Sequence, residues 1–179
     1  MNNKPDEITK TMVAFDIDGV LRDLNGVLAD RYDVPLPTKW HWKYQGKSIF
    51  DYIRKDYSVL VEAKPTKYFN AVMDLYKDAP IELWSCQPPD WKPFVIEWLQ
   101  AQGVKKYLLY YLNTKQKRDR LDKHTNYFLV EDCPNYSNYD RIVLIDTPYN
   151  REVECSIRVK TEKKLVEVLG SLGVGDGKD

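Results

Sequence analysis

Two aspartates two residues apart, Asp16 and Asp18, follow the apolar run Met12-Val13-Ala14-Phe15 and precede Gly19-Val20-Leu21. Carboxylates at this spacing suit a two-stage group transfer, in which one attacks an electrophile and the other moves a proton. The glycine adds a turn at which a ligand can approach the backbone. If the apolar run is a buried strand, the carboxylates emerge at its carboxyl end, where open parallel sheets gather their ligands. Read alone, the same residues fit a polar turn equally well. A calcium loop fits poorly, because Gly19 comes too early and Val20 and Leu21 are apolar.

Further polar groups stand at the ends of other apolar runs. Ile81-Glu82-Leu83-Trp84 leads into Ser85-Cys86-Gln87, and Tyr127-Phe128-Leu129-Val130 leads into Glu131-Asp132-Cys133-Pro134. Ser85 offers a hydroxyl and an N–H suited to a phosphate oxygen, or a turn cap. Paired acids after a buried strand need a partner for their charge, and a hard divalent cation such as magnesium is one. Lys115, Lys117 and Lys123 lie between the third and fourth runs, and most lysines so placed are solvated. Ile142 to Ile145 ends in Asp146-Thr147-Pro148-Tyr149-Asn150, where Asp146 imitates a metal ligand but comes one strand after the acid pair.

The elements that must position these groups read as an alternating α/β chain. Five strands are expected, at Met12–Phe15, Ile81–Trp84, Tyr107–Tyr111, Tyr127–Val130 and Ile142–Ile145. Helical spacing links Tyr68, Val72, Leu75 and Tyr76; Trp91, Phe94, Val95, Trp98 and Leu99, stopped by Gly103; and Leu165, Val166, Val168, Leu169 and Leu172. The tail from Gly170 to Asp179 reads as frayed. The alternation breaks between Leu24 and Pro65, where short helices at Asn25–Arg31 and Ser48–Arg54 flank a segment with Trp40, His41, Trp42 and Tyr44. The expected division is a catalytic core of residues 1–23 and 66–179 with a small cap or lid at 24–65.

Composition narrows the function. The chain has 179 residues, with 27 lysines plus arginines against 27 aspartates plus glutamates. A net charge of zero argues against a protein that coats nucleic acid, so no stable nucleic-acid partner is expected. Three cysteines without metal-type spacing point to a reducing, intracellular setting. Met1 to Lys10 lacks the apolar stretch of a signal peptide, and no run approaches a membrane span, so a soluble cytoplasmic protein is expected.

The order of these motifs, Asp-x-Asp-Gly, then Ser, then Lys, then an acid pair, resembles the haloacid dehalogenase (HAD) superfamily. Asp16 to Leu21 followed by Asp23, with the later Pro148-Tyr149-Asn150-Arg151, is similar to its 5'(3')-deoxyribonucleotidase branch. Arg22 departs from the alanine common there, and Cys86-Gln87 from the usual residues after the serine. The resemblance implies a Rossmann-like HAD fold, a mostly parallel five-stranded sheet flanked by helices with a small helical cap inserted after the first strand. It implies Asp16 as nucleophile, Asp18 as general acid and base, and Lys117, before Lys115 or Lys123, as the lysine that meets the phosphate. Ser85 would join in neutralising the phosphate, Mg2+ would sit on Asp16, the Asp18 carbonyl and Asp132, and Glu131 would bind it directly or through water. Trp40 and Trp42, with Cys86 and Gln87, are candidate contacts for a small phosphorylated substrate, a nucleotide on this resemblance. His41 reads as a surface or hydrogen-bonding residue rather than a catalytic one. A polynucleotide end phosphatase, another small-molecule phosphatase and a binding module that keeps the fold without catalysis are the competing readings. Asp18 disfavours a dehalogenase.

Overall fold

The structure, a computed structural model, describes residues 10–175. Six strands form one parallel sheet. They are β1 (Met12–Phe15), β4 (Ile81–Ser85), β5 (Tyr107–Tyr111), β6 (Tyr127–Glu131), β7 (Ile142–Ile145) and β8 (Ile157–Val159), in the order β5-β4-β1-β6-β7-β8. The five expected strands are present, and β8 is a sixth that the sequence reading lacked. The chain runs from β1 outward through β4 to β5, then returns to build β6, β7 and β8 on the other side. The direction reverses between β1 and β6, so the crevice beyond their carboxyl ends is the ligand-binding position of such sheets.

Strand periodicity sorts the two faces. Val13, Phe15, Leu83, Val130 and Val143 point to one side and form the larger core with Val72, Trp98 and Leu169. These last three come from α4 (Phe69–Leu75), α5 (Lys92–Ala101) and α7 (Glu162–Ser171). Ala14, Trp84, Leu129 and Leu144 point to the other side, against Leu121 of α6 (Thr114–Lys123) and Tyr136. Helix α7 continues through Gly170 to Ser171, and Leu172 and Val174 pack on the larger core, so the expected fraying at Gly170 does not occur. Residues 176–179, and nearly all of the polar start at Met1–Lys10, lie outside the described residues. Among the described residues, no helix is long and apolar enough to cross a membrane.

Residues 24–65 hold α1 (Leu24–Tyr32), a two-residue hairpin β2 (Lys43–Tyr44) and β3 (Lys47–Ser48), α2 (Ile49–Ile53) and α3 (Val59–Glu62). The hairpin and α3 are additions to the two short helices expected there. Asp23 caps α1 by accepting from Gly26 N at 2.9 Å. Leu24, Leu28, Tyr52, Ile53, Val59 and Leu60 share one apolar cluster, which Trp91 of the sheet-bearing part completes. Tyr57 stacks on Phe94 with ring centres 5.1 Å apart. Arg31 ties α1 to Asp56 and Glu62. The segment's entry and exit run side by side: Asp23 N donates to Lys64 O at 2.8 Å and Thr66 N to Leu21 O at 2.9 Å.

Trp98 joins these parts. It is fully buried, meets Phe69 edge-on at 5.7 Å and donates its Nε1 proton to Ala63 O at 2.7 Å, at the end of the 24–65 segment. Trp98→Ala leaves a cavity and an unpaired carbonyl, and is expected to lower stability by about 3–5 kcal/mol. Urea denaturation checks this; a loss below about 1 kcal/mol is incompatible with Trp98 as the joint.

Candidate active site

Asp16 N donates to Val130 O at 2.9 Å, which extends the β1–β6 ladder one step past Phe15 opposite Val130. Asp16 therefore stands level with Glu131. Paired residues of parallel strands project to the same face, and here it is the face covered by α6. Helix α6 is polar apart from Leu121, and its buried positions, Lys117 and Leu121, lie four residues apart on its inward face. Leu121 packs on the sheet, and Lys117 delivers its ammonium between the two carboxylates. Lys117 Nζ donates to Asp16 Oδ1 at 2.6 Å and to Glu131 Oε1 at 2.9 Å, and its side chain is fully buried. The other two lysines are elsewhere: Lys115 is exposed and paired with Asp119, and Lys123 is exposed at the end of α6. Lys117 lies within this helix, which leads into β6 and the acid pair.

Glu131 and Asp132 do different work. The second oxygen of Glu131 accepts from Asp132 N and Cys133 N, at 2.9 and 3.2 Å, so both oxygens are committed. Asp132 receives the phenol of Tyr149 on Oδ2, and its carbonyl accepts from Asn150 Nδ2 at 2.7 Å. Oxygens of Asp16, Glu131 and Asp132 lie within 4.8 Å of one another. Gly19 makes this approach possible. Its φ is +82°, and a Cβ there would lie 1.8 Å from Asp132 Oδ2. Asp146 is outside the cluster, paired with Arg158 at 3.0 Å, and Arg158 also holds Asn150.

Three buried carboxylates with one lysine repel each other. Burial first, then Glu131, raises the Asp16 carboxyl to about 7, against the opposing pull of Lys117. Burial and the charges of Glu131 and Asp16 hold Asp132 well above the usual carboxylate range. For Lys117, burial works against the charged form, but Asp16 and Glu131 outweigh it and hold the ammonium protonated. This donor set of clustered hard oxygens with surplus negative charge fits a divalent cation.

A cavity of about 470 Å³ opens above these groups. Asp16, Asp18, Glu131 and Asp132 line its floor, and Trp40, Trp42, Phe50 and Trp91 contribute aromatic wall. Trp40 reaches across to Tyr149, with ring centres 5.5 Å apart. Trp42 is stacked on Tyr44, within the segment's own aromatic cluster, and His41 is exposed with a φ of +59°. Cys86 and Gln87 line the cavity, whereas Ser85 is buried beneath with its hydroxyl accepting from Gln87 N at 3.2 Å. Gln87 Nε2 donates to Asp18 Oδ2 at 2.5 Å. Burial raises the Cys86 thiol to about 11, so it is a neutral wall group. The sequence reading missed Tyr149 and Trp91 as members of the site. The tyrosine's signal was its place after a strand end, and Trp91 read only as helix core.

Solved structures carry the same arrangement of strands and helices. A HAD family hydrolase from Deinococcus radiodurans, solved with bound phosphate and sodium, is 11% identical, with a TM-score of 0.62 over 92% of this chain and 96% of that one. The fold is that of the HAD hydrolases. A candidate beta-phosphoglucomutase from Thermotoga maritima (16% identity, TM-score 0.54, 90% and 99% coverage) is also similar. So is a haloacid dehalogenase-like hydrolase from Burkholderia xenovorans (14%, 0.52, 92% and 99%). No family model and no curated protein matches the sequence.

The crowding of acids has a stability signature. With its raised pKa, the folded-state Asp132 keeps a proton that the unfolded chain has released. That linkage favours folding below the usual carboxylate pKa and is lost as pH rises through the raised value. Asp132→Asn is therefore expected to raise the Tm at pH 8 in EDTA by roughly 2–4 °C, the shift that about 1 kcal/mol gives in a chain of this size. A lower Tm under those conditions would show that Asp132 is not electrostatically strained.

Proposed function

We propose that this chain is a magnesium-dependent phosphomonoester hydrolase that works through an aspartyl-phosphate on Asp16, with a deoxyribonucleoside 5'-monophosphate as substrate. The observation that carries this reading is the buried cluster at the β1–β6 crevice. Asp16 is fixed by Lys117 through one oxygen, and Asp18 stands two residues on at the same cavity floor.

Asp16 offers its second carboxylate oxygen to phosphorus. As that O–P bond forms, the bond to the leaving oxygen breaks and Asp18 gives the departing oxygen its proton. A water then attacks the phosphorus, Asp18 takes its proton, and the Asp16–phosphorus linkage opens to release inorganic phosphate. Lys117 keeps Asp16 oriented and supplies positive charge beside the transferring oxygens, and the Ser85 hydroxyl, still free to donate, lies behind the same floor. Asp16, Asp132 and the Asp18 carbonyl would hold the magnesium, and Glu131, committed to Lys117 and the turn, is its neighbour rather than its main ligand. When bound, the ion offsets the repulsion between an anionic nucleophile and an anionic phosphate.

Residues 24–65 serve as the cap. Their aromatic wall suits the flat face of a nucleobase, and stacking of that kind tolerates different bases. Wall and floor together suit a small substrate, with a phosphate at the carboxylates and a ring under Trp40.

Phosphate release from an aryl phosphate in magnesium is the first test, with loss expected in EDTA and a fall of at least about 10³-fold in Asp16→Asn. A chain that binds magnesium but hydrolyses no phosphomonoester would be a binding module instead. A panel of nucleotides and sugar phosphates tests the substrate, and a strong preference for sugar phosphates removes the nucleotidase reading. Trp40→Ala is expected to raise KM for a deoxyribonucleoside monophosphate about 10-fold, from a stacking loss of about 1–3 kcal/mol, with little change in KM for glycerol phosphate. Equal rises for both substrates would mean that Trp40 shapes the site without touching the base.

A further inference from the structure

Arg22 is a buried charged side chain that the mechanism above does not use. It is fully buried, in a position for which a small residue would require no desolvation of charge. The turn that follows β1 brings it there. Leu21 N and Arg22 N both donate to Ile17 O, at 2.9 and 2.8 Å, and Gly19 N donates to Arg22 O at 2.9 Å, so residue 22 folds back beside residue 18.

The guanidinium then spans two parts of the chain. Its Nε donates to Asp18 Oδ1 at 2.8 Å, and its Nη1 donates to Leu60 O of α3 at 2.7 Å. Its centre lies 5.4 Å from the Trp98 ring, and Nη2 is buried without a hydrogen-bond partner among the described residues. A guanidinium left with an unpaired N–H is not placed for stability alone: apolar side chains of similar volume commonly do as well or better in such sites. Its reward is geometric. Asp18 lines the cavity, and its Oδ2 accepts from the cavity-lining Gln87, while its Oδ1 is held by Arg22, which does not line the cavity.

We propose that Arg22 is a positioning residue that fixes the Asp18 carboxyl for proton transfer while anchored to α3, so that the seating of residues 24–65 and the aim of the proton donor depend on one side chain. This rests on the phosphatase reading. A planar fork can serve Asp18 and Leu60 at once; a lysine ammonium in the same space reaches one of them. The role concerns aim, and small misplacements of a reacting group are costly in rate.

The experiment compares kcat/KM for two aryl phosphates, phenyl phosphate and 2,4-dinitrophenyl phosphate, in the wild type, Arg22→Lys and Arg22→Ala. Phenolate needs a proton to leave, whereas dinitrophenolate does not, and kcat/KM reports the step in which the leaving group departs. Both variants are expected to lose about 10–100-fold on phenyl phosphate and less than about threefold on the dinitrophenyl ester. If Arg22→Ala fails to fold, Arg22→Lys, which keeps charge and bulk, carries the comparison. Equal losses on the two esters, or no loss on either, overturn the positioning role while leaving the phosphatase reading intact. A wild type inactive on both esters overturns that reading, and this inference with it.

Discussion

The buried ammonium of Lys117 is the constraint around which the site is arranged. Its 2.6 and 2.9 Å bonds to Asp16 and Glu131 are the only cationic compensation placed directly against the acid cluster among the described residues. Without that lysine, three carboxylates would face one another in a water-poor crevice, and breaking a buried pair of this kind typically costs about 3–5 kcal/mol. The pair also spans three elements: β1 and β6 supply the acids, and α6 supplies the base. It fixes the helix on the sheet at the carboxyl ends of β1 and β6.

That arrangement follows from strand parity. Phe15 and Val130 pair and point into the larger core, so the next residues along, Asp16 and Glu131, point to the opposite face. A slip of one residue would send both carboxylates into the apolar core behind Phe15. The main chain reinforces the register, because Asp16 N still donates to Val130 O after the strand proper has ended. Small Ala14 lies one step below Asp16 on the same face, which leaves room for Leu121, and Leu121 in turn sets the height at which Lys117 enters.

What could be read from the sequence follows the same physics. Strands buried on both faces are nearly continuous apolar runs, so β1, β4, β6 and β7 were visible with their carboxyl-end chemistry. Strand β8 is three residues long with Arg158 at its centre, and a segment that short gives no periodicity. Helix α6 gives little signal because one of its two inward positions is a lysine, so the stripe that would reveal the helix is half charge. Asp16, Asp18, Lys117 and the acid pair were legible because each stands at a strand end or between strands in a fixed order. The interplay of Arg22, Gln87 and Tyr149 with these acids was not, since it depends on a turn and two loops whose side chains meet only in three dimensions.

Glu131 and Asp132 illustrate how the fold separates tasks that composition alone makes equivalent. The two acids are neighbours with the same charge and nearly complete burial. Glu131, still in the strand, projects with Asp16 toward α6 and spends one oxygen on Lys117 and the other on two backbone N–H groups of the turn it precedes. Those bonds satisfy both oxygens of a buried carboxylate within the protein, which lets it act as the fixed counter-charge for the lysine. Asp132, one residue on, leaves the strand and turns toward Gly19, where only a hydrogen in place of a Cβ permits its approach. Its Oδ2 accepts from the phenol of Tyr149, and burial, then the charges of Glu131 and Asp16, raise its pKa. The less satisfied acid is thus the one set against Gly19, beside Asp16. The two acids thus divide the work: Glu131 balances the lysine, and Asp132 carries the charge repulsion that the fold leaves uncompensated.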